Sequence, residues 1–276
     1  MDVGGPGAEV IPPLFRGLLD DAAVFPPGSL PLAEAVPAHV RHRAAPYREI
    51  VGPLVLAAPD LAGLGDTELE LAVTAPGGPA QLPEVFARVA GLPVRLAGLE
   101  VAMPAGMSVA EFFGALPETE VPVFVEIPRD ERRADVIAAC ARTGHQAKFR
   151  AGGVKAELYP DETELAAGIR AVTGAGVPFK ATAGLHHAIR NTDPATGFEQ
   201  HGYLNILAAT ADALAGKSSD ALADVLAERD GRAIADRLST VDDGVRAAFR
   251  SFGTCSIIEP LTELAELGLV DEGVIA

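Results

Sequence analysis

The sequence predicts an α/β chain closed into a single (β/α)8 TIM-type barrel, with extra helices inserted between the seventh and eighth strands. Three observations lead there. Apolar strand-like runs alternate with amphipathic helical ones through the 276 residues, the pattern of a parallel sheet. Eight such runs can be picked out, and one barrel of this kind commonly takes about 250 residues. The open doubly wound alternative lacks its phosphate-binding turn. The first strand leads into DDAAVFPPG, not G-x-G-x-x-G, and no G-x-x-x-x-G-K-[ST] occurs.

The strands are read in order. LLDDAAVF (Leu18–Phe25) holds the first, followed by VGPLVLAA (Val51–Ala58), LELAVTAP (Leu69–Pro76), LAGLEVAM (Leu96–Met103) and VPVFVEIP (Val121–Pro128). The sixth lies in HQAKFRAGG (His145–Gly153), the seventh in GVPFKATAGLHH (Gly176–His187) and the eighth in GTCSIIEP (Gly253–Pro260). Between them LPEVFARVA, SVAEFFGAL, ERRADVIAACARTG and DETELAAGIRAVTGAG read as helices. The last begins on acidic residues and ends at glycine, as caps and the helix dipole favour. Residues 192–251 break the alternation with EQHGYLNILAATADALAG and SDALADVLAERDGRAIADRL, an elaboration expected to lay helices over one end of the barrel. No linker or repeat divides the chain, so residues 1–276 are read as one domain.

Composition narrows the partners. Hydrophobic residues make up 49%, enough for a large core, whereas aromatic residues are 5% with no tryptophan, which argues against a base-stacking surface. A net charge of −16 opposes binding to a phosphate backbone. No apolar run approaches membrane-spanning length, and the opening MDVGGPGAEVIPPLF lacks the basic start and apolar core of a signal peptide. Cys140 and Cys255 form neither a CxxC pair nor a disulfide framework. The expectation is a cytoplasmic protein with a small-molecule substrate, no nucleic-acid or membrane partner and no cofactor; self-association is left open.

The charged residues inside strands carry the functional reading. Successive strand side chains point to opposite faces, so Lys148 and Arg150 share one face of AKFRAGG, and Lys180 and Thr182 share one face of PFKATAG. Their apolar neighbours suit the helical layer, which turns the cations toward the barrel interior. Both strands run into glycines near the C-terminal end, where barrels of this type build their active sites. Buried unpaired charge is too costly to keep. Glu100, Glu126 and one of Asp20 and Asp21 are therefore the expected counter-charges. A lysine beside another cation can attack a carbonyl.

The lysine-bearing strands AKFRAGG and FKATAGLHH resemble the sixth and seventh strands of Schiff-base (class I) aldolases of the deoxyribose-phosphate aldolase type. In that family one lysine, in a K-T-S-T-G-like strand, forms the imine, and another, in a K-A-x-G-G-like strand, tunes it or relays protons. The resemblance implies that Lys148 is the imine-forming residue and Lys180 its neighbour. It implies a lyase, with Glu100 the nearest candidate for the family's aspartate.

The expected substrate is a small anionic carbonyl metabolite. Glu126 or Asp21 would move protons, His187 would act as acid or base, and Arg150, Thr182, Gly152, Gly153 and Ser256 would bind substrate. Two alternatives stand beside it. One is a metal-dependent hydrolase or isomerase built on His186, His187 and His201; the other is a non-catalytic anion-binding barrel, marked by fully paired lysines and no open pocket. Arg190 is a further candidate anion grip, whereas Cys255 reads as a small buried thiol. His39 and His42, in AHVRHR, are expected on a solvated helical face.

Overall fold

The computed structural model describes residues 10–275. Residues 1–9 of the opening MDVGGPGAEVIPPLF, read above as lacking a signal peptide, lie outside them. Strands β1 (Leu19–Asp21), β2 (Val51–Ala57), β3 (Leu69–Ala75), β4 (Val94–Val101), β5 (Val123–Glu126), β6 (Gln146–Arg150) and β7 (Phe179–Thr182) follow one another along the chain. A short hairpin, β8 (Asn191–Thr192) and β9 (Glu199–Gln200), precedes the last strand, β10 (Phe249–Thr254). The eight longer pairings close a barrel in the order β1-β10-β7-β6-β5-β4-β3-β2, and every pair is parallel. This is the predicted (β/α)8 architecture.

Around it run α1 (Leu32–Ala44), α2 (Leu82–Val89), α3 (Val109–Ala115), α4 (Arg133–Thr143) and α5 (Glu162–Gly174), then α6 (Tyr203–Leu214), α7 (Ser219–Ala227), α8 (Gly231–Leu238) and α9 (Ile258–Glu266). Strand alternation sorts the side chains. Leu54, Leu56, Leu71, Val73, Leu99 and Val101 are fully buried apolar positions spaced two apart. On β6 and β7, Phe149 and Phe179 meet edge to face with centroids 5.5 Å apart. A Cβ on Gly168 of α5 would lie 3.0 Å from the Phe149 ring, so that glycine lets helix and sheet approach. With the aromatic residues facing the helices, Lys148 and Lys180 face inward.

The inserted region differs from its expectation. Tyr203 to Thr210 of α6 are buried on every side of the helix, and an all-round apolar helix must be enclosed. It packs between α5, α7 and α8 and against β10, with Tyr203 stacked on Phe252 at 4.4 Å. These helices therefore thicken the flank of the barrel and do not cover its end. The β8–β9 hairpin, with residues 193–198 between its strands, takes that place. The run expected as one helix after Ser219 breaks at Glu228, and α8 restarts where the Asp230 side chain accepts the Arg232 and Ala233 N–H groups. The final strand begins at Phe249, earlier than Gly253, and Ile258 already opens α9. Among the described residues no helix is long and apolar enough to cross a membrane.

Candidate active site

Charge is concentrated in the barrel interior, and it is paired. β6 and β7 place Lys148 directly beside Lys180, and β5 places Glu126 beside Lys148. Glu100 of β4 stands between the two ammonium groups, Oε2 at 3.3 Å from Lys148 Nζ and Oε1 at 2.5 Å from Lys180 Nζ. Lys180 also pairs with Asp20 of β1, whose carboxylate accepts the Ser251 hydroxyl at 2.7 Å. Lys148 reaches Glu126 at 2.8 Å, and Arg150 Nε reaches the other Glu126 oxygen at 3.3 Å. Three cations thus alternate with three carboxylates, as burial requires.

That alternation revises the expected effect of Lys180. Burial alone would lower its pKa, but Asp20 and Glu100 outweigh burial and hold it above the ordinary lysine value. Burial would raise Glu100, yet Lys180 and Lys148 bring it down to about 2. Glu126 is likewise held below its usual value, Lys148 and Arg150 overcoming its desolvation. With a carboxylate interposed, Lys180 does not confront Lys148 as a bare cation.

Above this network, at the C-terminal end of the strands, opens a cavity of about 590 Å3. Lys148, Glu100 and Glu126 form its floor, and Arg150, Thr182 and Gly153 stand on its walls. Lys180 is only 2% exposed and does not reach it. The hairpin contributes Asp193, Thr196, Phe198 and Gln200 as a cover. Tyr159, in the loop after β6, meets Phe198 with ring centroids 5.6 Å apart. Beneath Tyr159 the β6 and β7 chains nearly touch: a Cβ on Gly152 would lie 2.5 Å from Tyr159 Cε1 and 2.9 Å from Gly184 Cα. Gly152 is therefore glycine for packing and does not line the cavity. Ala183, which does, holds φ at 66°, a left-handed conformation that costs a residue with a side chain about 1–2 kcal/mol.

Several expected residues lie elsewhere. Asp21 points away from the interior, because Asp20 takes the inward position and alternation turns its neighbour out. It accepts a hydrogen bond from His39 Nδ1 at 2.9 Å, with both side chains buried. His39 is therefore a buried anchor of α1 and not a solvated residue. His187 donates to Glu263 of α9 at 2.6 Å and stays outside the cavity. Ser256 turns its hydroxyl to the Glu259 N–H at 3.2 Å, serving the start of α9.

The three histidines of the metal alternative diverge. His201 is buried, Nε2 donating to Pro160 O at 2.8 Å and Nδ1 accepting from Arg190 at 3.2 Å. Burial and the Arg190 charge push its pKa down to about 4, which suits this neutral, doubly bonded ring. Arg190 is bound to Glu162 at 2.5 Å and Glu199 at 3.2 Å, so it ties the hairpin to α5. Among the described residues no group of three His, Cys, Asp or Glu is placed to hold a metal ion.

His186 is the member of the histidine pair that lines the cavity, and it meets Cys255 there, Sγ to Nδ1 at 3.2 Å. Burial lowers the imidazole pKa and raises that of the thiol, so the contact is a neutral thiol donating to a neutral ring. Cys255, expected as a small buried thiol, is instead half-buried on the cavity wall. Its contact with His186 could not be read from the sequence because the two lie on different loops. The roles of Glu100 and Asp20 carried a signal, a carboxylate inside an apolar strand. Tyr159 and Phe198 carried none. Compared with known proteins, the chain matches no family model, no curated protein and no solved structure.

Proposed function

We propose that this barrel is an enzyme acting on a carbonyl compound, a lyase or an isomerase that removes a proton beside the carbonyl, with Lys148 as its reacting group. The position of the Lys148 ammonium carries this reading. It alone of the two interior lysines ends at the cavity floor, 2.8 Å from a carboxylate that also faces the cavity. Fully paired lysines were the mark of a non-catalytic barrel, but there the pocket was to be closed.

The pair can perform a balanced imine step. Glu126 takes one proton from the Lys148 ammonium, and the neutral amine attacks the carbonyl carbon, forming a C–N bond. The amine's second proton passes to the carbonyl oxygen, Glu126 returns its own, and water leaves. A protonated imine and a Glu126 carboxylate remain. The positive charge stays on the imine nitrogen, where it draws electrons from the neighbouring carbon and acidifies its C–H, so the regenerated Glu126 carboxylate can take that proton next. Lys180, Asp20 and Ser251 act behind Glu100 as its fixed support, and Arg150 faces the substrate's anionic end.

Borohydride reduction in the presence of aldehydes and 2-oxo acids, followed by peptide mass mapping, tests this. A carbonyl-dependent adduct on the Lys148 peptide, lost in Lys148→Met, is the expected result. An adduct confined to Lys180 would reverse the two roles. Saturable carbonyl binding without any adduct would remove the imine and leave Lys148 as a proton donor to the carbonyl oxygen.

A further inference from the structure

The cavity floor is charged, but most of its surface is not. Phe25, Pro27, Val55, Leu158, Tyr159 and Phe198 face the enclosed space, and Val154 on its rim is 73% exposed. Cavities of about 300–1,000 Å3 with such walls bury drug-sized ligands. A volume of about 590 Å3 leaves a three-carbon acid on the floor beneath a large apolar space.

The charges limit the anionic part. Lys148 and Arg150 face the cavity with three carboxylates, Glu100, Glu126 and Asp193. Lys148 is held by two of them. His186 is driven toward its neutral form by burial. Arg150 differs: its side chain is 41% exposed and only Nε is engaged, at 3.3 Å from Glu126. Its two terminal nitrogens remain for a ligand, and together they match one carboxylate in bidentate geometry. Among the described cavity residues no second uncommitted cation is available for the further charge of a phosphate ester, and Asp193 in the cover would repel it.

We infer that the substrate is a monocarboxylate bearing a carbonyl and a bulky apolar body, and not a phosphorylated or multiply charged metabolite. This class rests on the carbonyl chemistry proposed above for Lys148. The carboxylate lies on Arg150, the carbonyl over Lys148, and the apolar body rises between Phe25 and Val55 to the Tyr159–Phe198 contact. The expected small anionic metabolite is thereby narrowed: anionic at one end, and not small.

Isothermal titration of the full chain tests it with pyruvate, 2-oxobutanoate, 4-methyl-2-oxopentanoate and phenylpyruvate, the matching 2-hydroxy acids, and 2-deoxyribose 5-phosphate. Affinity should rise about fourfold for each added methylene buried. Arg150→Gln should weaken all the acids at least tenfold while keeping their order. Phe198→Ala should flatten the dependence on size, and Val154→Asp, at an exposed position, should do so without disturbing the fold. Tightest binding of the sugar phosphate or of pyruvate overturns the class, as does the absence of saturable binding by the bulky acids at millimolar concentration. The hydroxy acids separate the two proposals. If they show the same dependence on size and the oxo acids give no borohydride adduct, the class stands and the imine falls. If a phosphate ester forms the Lys148 adduct and the bulky acids do not bind, the imine stands and the class falls.

Discussion

Glu100 holds the interior together more than either lysine does. One oxygen serves Lys148 and the other Lys180, so its loss leaves two buried cations short of a counter-charge. Breaking a buried pair in this way costs about 3–5 kcal/mol, and urea unfolding of Glu100→Gln at pH 7 should show a loss of that order. The sign with pH follows from the direction of its shift. A folded-state value of about 2 against an ordinary 4.5 means stability that is fully present above about pH 4.5 and lost as pH falls toward 2. The whole effect is on the order of 3 kcal/mol. The wild type should weaken between pH 7 and pH 3 by more than Glu100→Gln does; equal slopes would show that the carboxylate is not held as described. At this scale the sequence was informative about Lys148, Arg150 and Lys180, because alternation within one strand fixes a shared face. It was uninformative about which carboxylate meets which ammonium, since that depends on the stagger between strands.

At the scale of elements, α1 shows why a helix can be legible while its buried residue is not. It carries four basic or imidazole groups, His39, Arg41, His42 and Arg43, and an internal Pro37. Its inward position is therefore not marked by an apolar stripe. Only Ala35 and His39 are buried, and His39 is there because Asp21 projects outward from β1 to meet it. The contact ties the first helix to the first strand across the layer interface. Removing either side leaves a buried polar group without its partner, which costs about 1–3 kcal/mol. Asp21→Ala and His39→Leu should each destabilise by that amount, and the double variant should lose less than their sum in a double-mutant cycle. Additive losses would mean the two side chains are not coupled. The β8–β9 hairpin was illegible for a different reason. Its strands are two residues each, too short for a period, and they are held by tertiary pairs such as Arg190 with Glu162 and Glu199. Most of the longer strands and helices, whose periodicity spans several residues, lie close to where the pattern put them; the last barrel strand and the run after Ser219 do not.

For the whole molecule the question is what the charged interior is for. A (β/α)8 barrel closes well on layers of branched apolar side chains, and here six ionisable groups occupy that space. Their ion pairs recover the desolvation that burial imposes, but buried pairs of this kind seldom stabilise more than an apolar filling would. If the network served folding alone, replacing its deepest pair would cost the barrel dearly. If it serves to hold Glu100, and through it Lys148, stability and ligand behaviour should separate. Asp20→Asn with Lys180→Met removes one charge of each sign. The Asn amide can still accept the Ser251 hydroxyl, the unbranched Met fills the lysine's space, and Glu100 and Glu126 remain balanced by Lys148 and Arg150. Each single substitution should cost about 3–5 kcal/mol, whereas the double should return to within about 2 kcal/mol of the wild type. The double variant should bind the oxo acids as before, since Lys180 does not reach the cavity, yet trap them on Lys148 more slowly and with an altered pH profile. A double variant as unstable as the singles would make the pair a structural necessity. One with unchanged trapping would show that Lys148 works without the support behind Glu100.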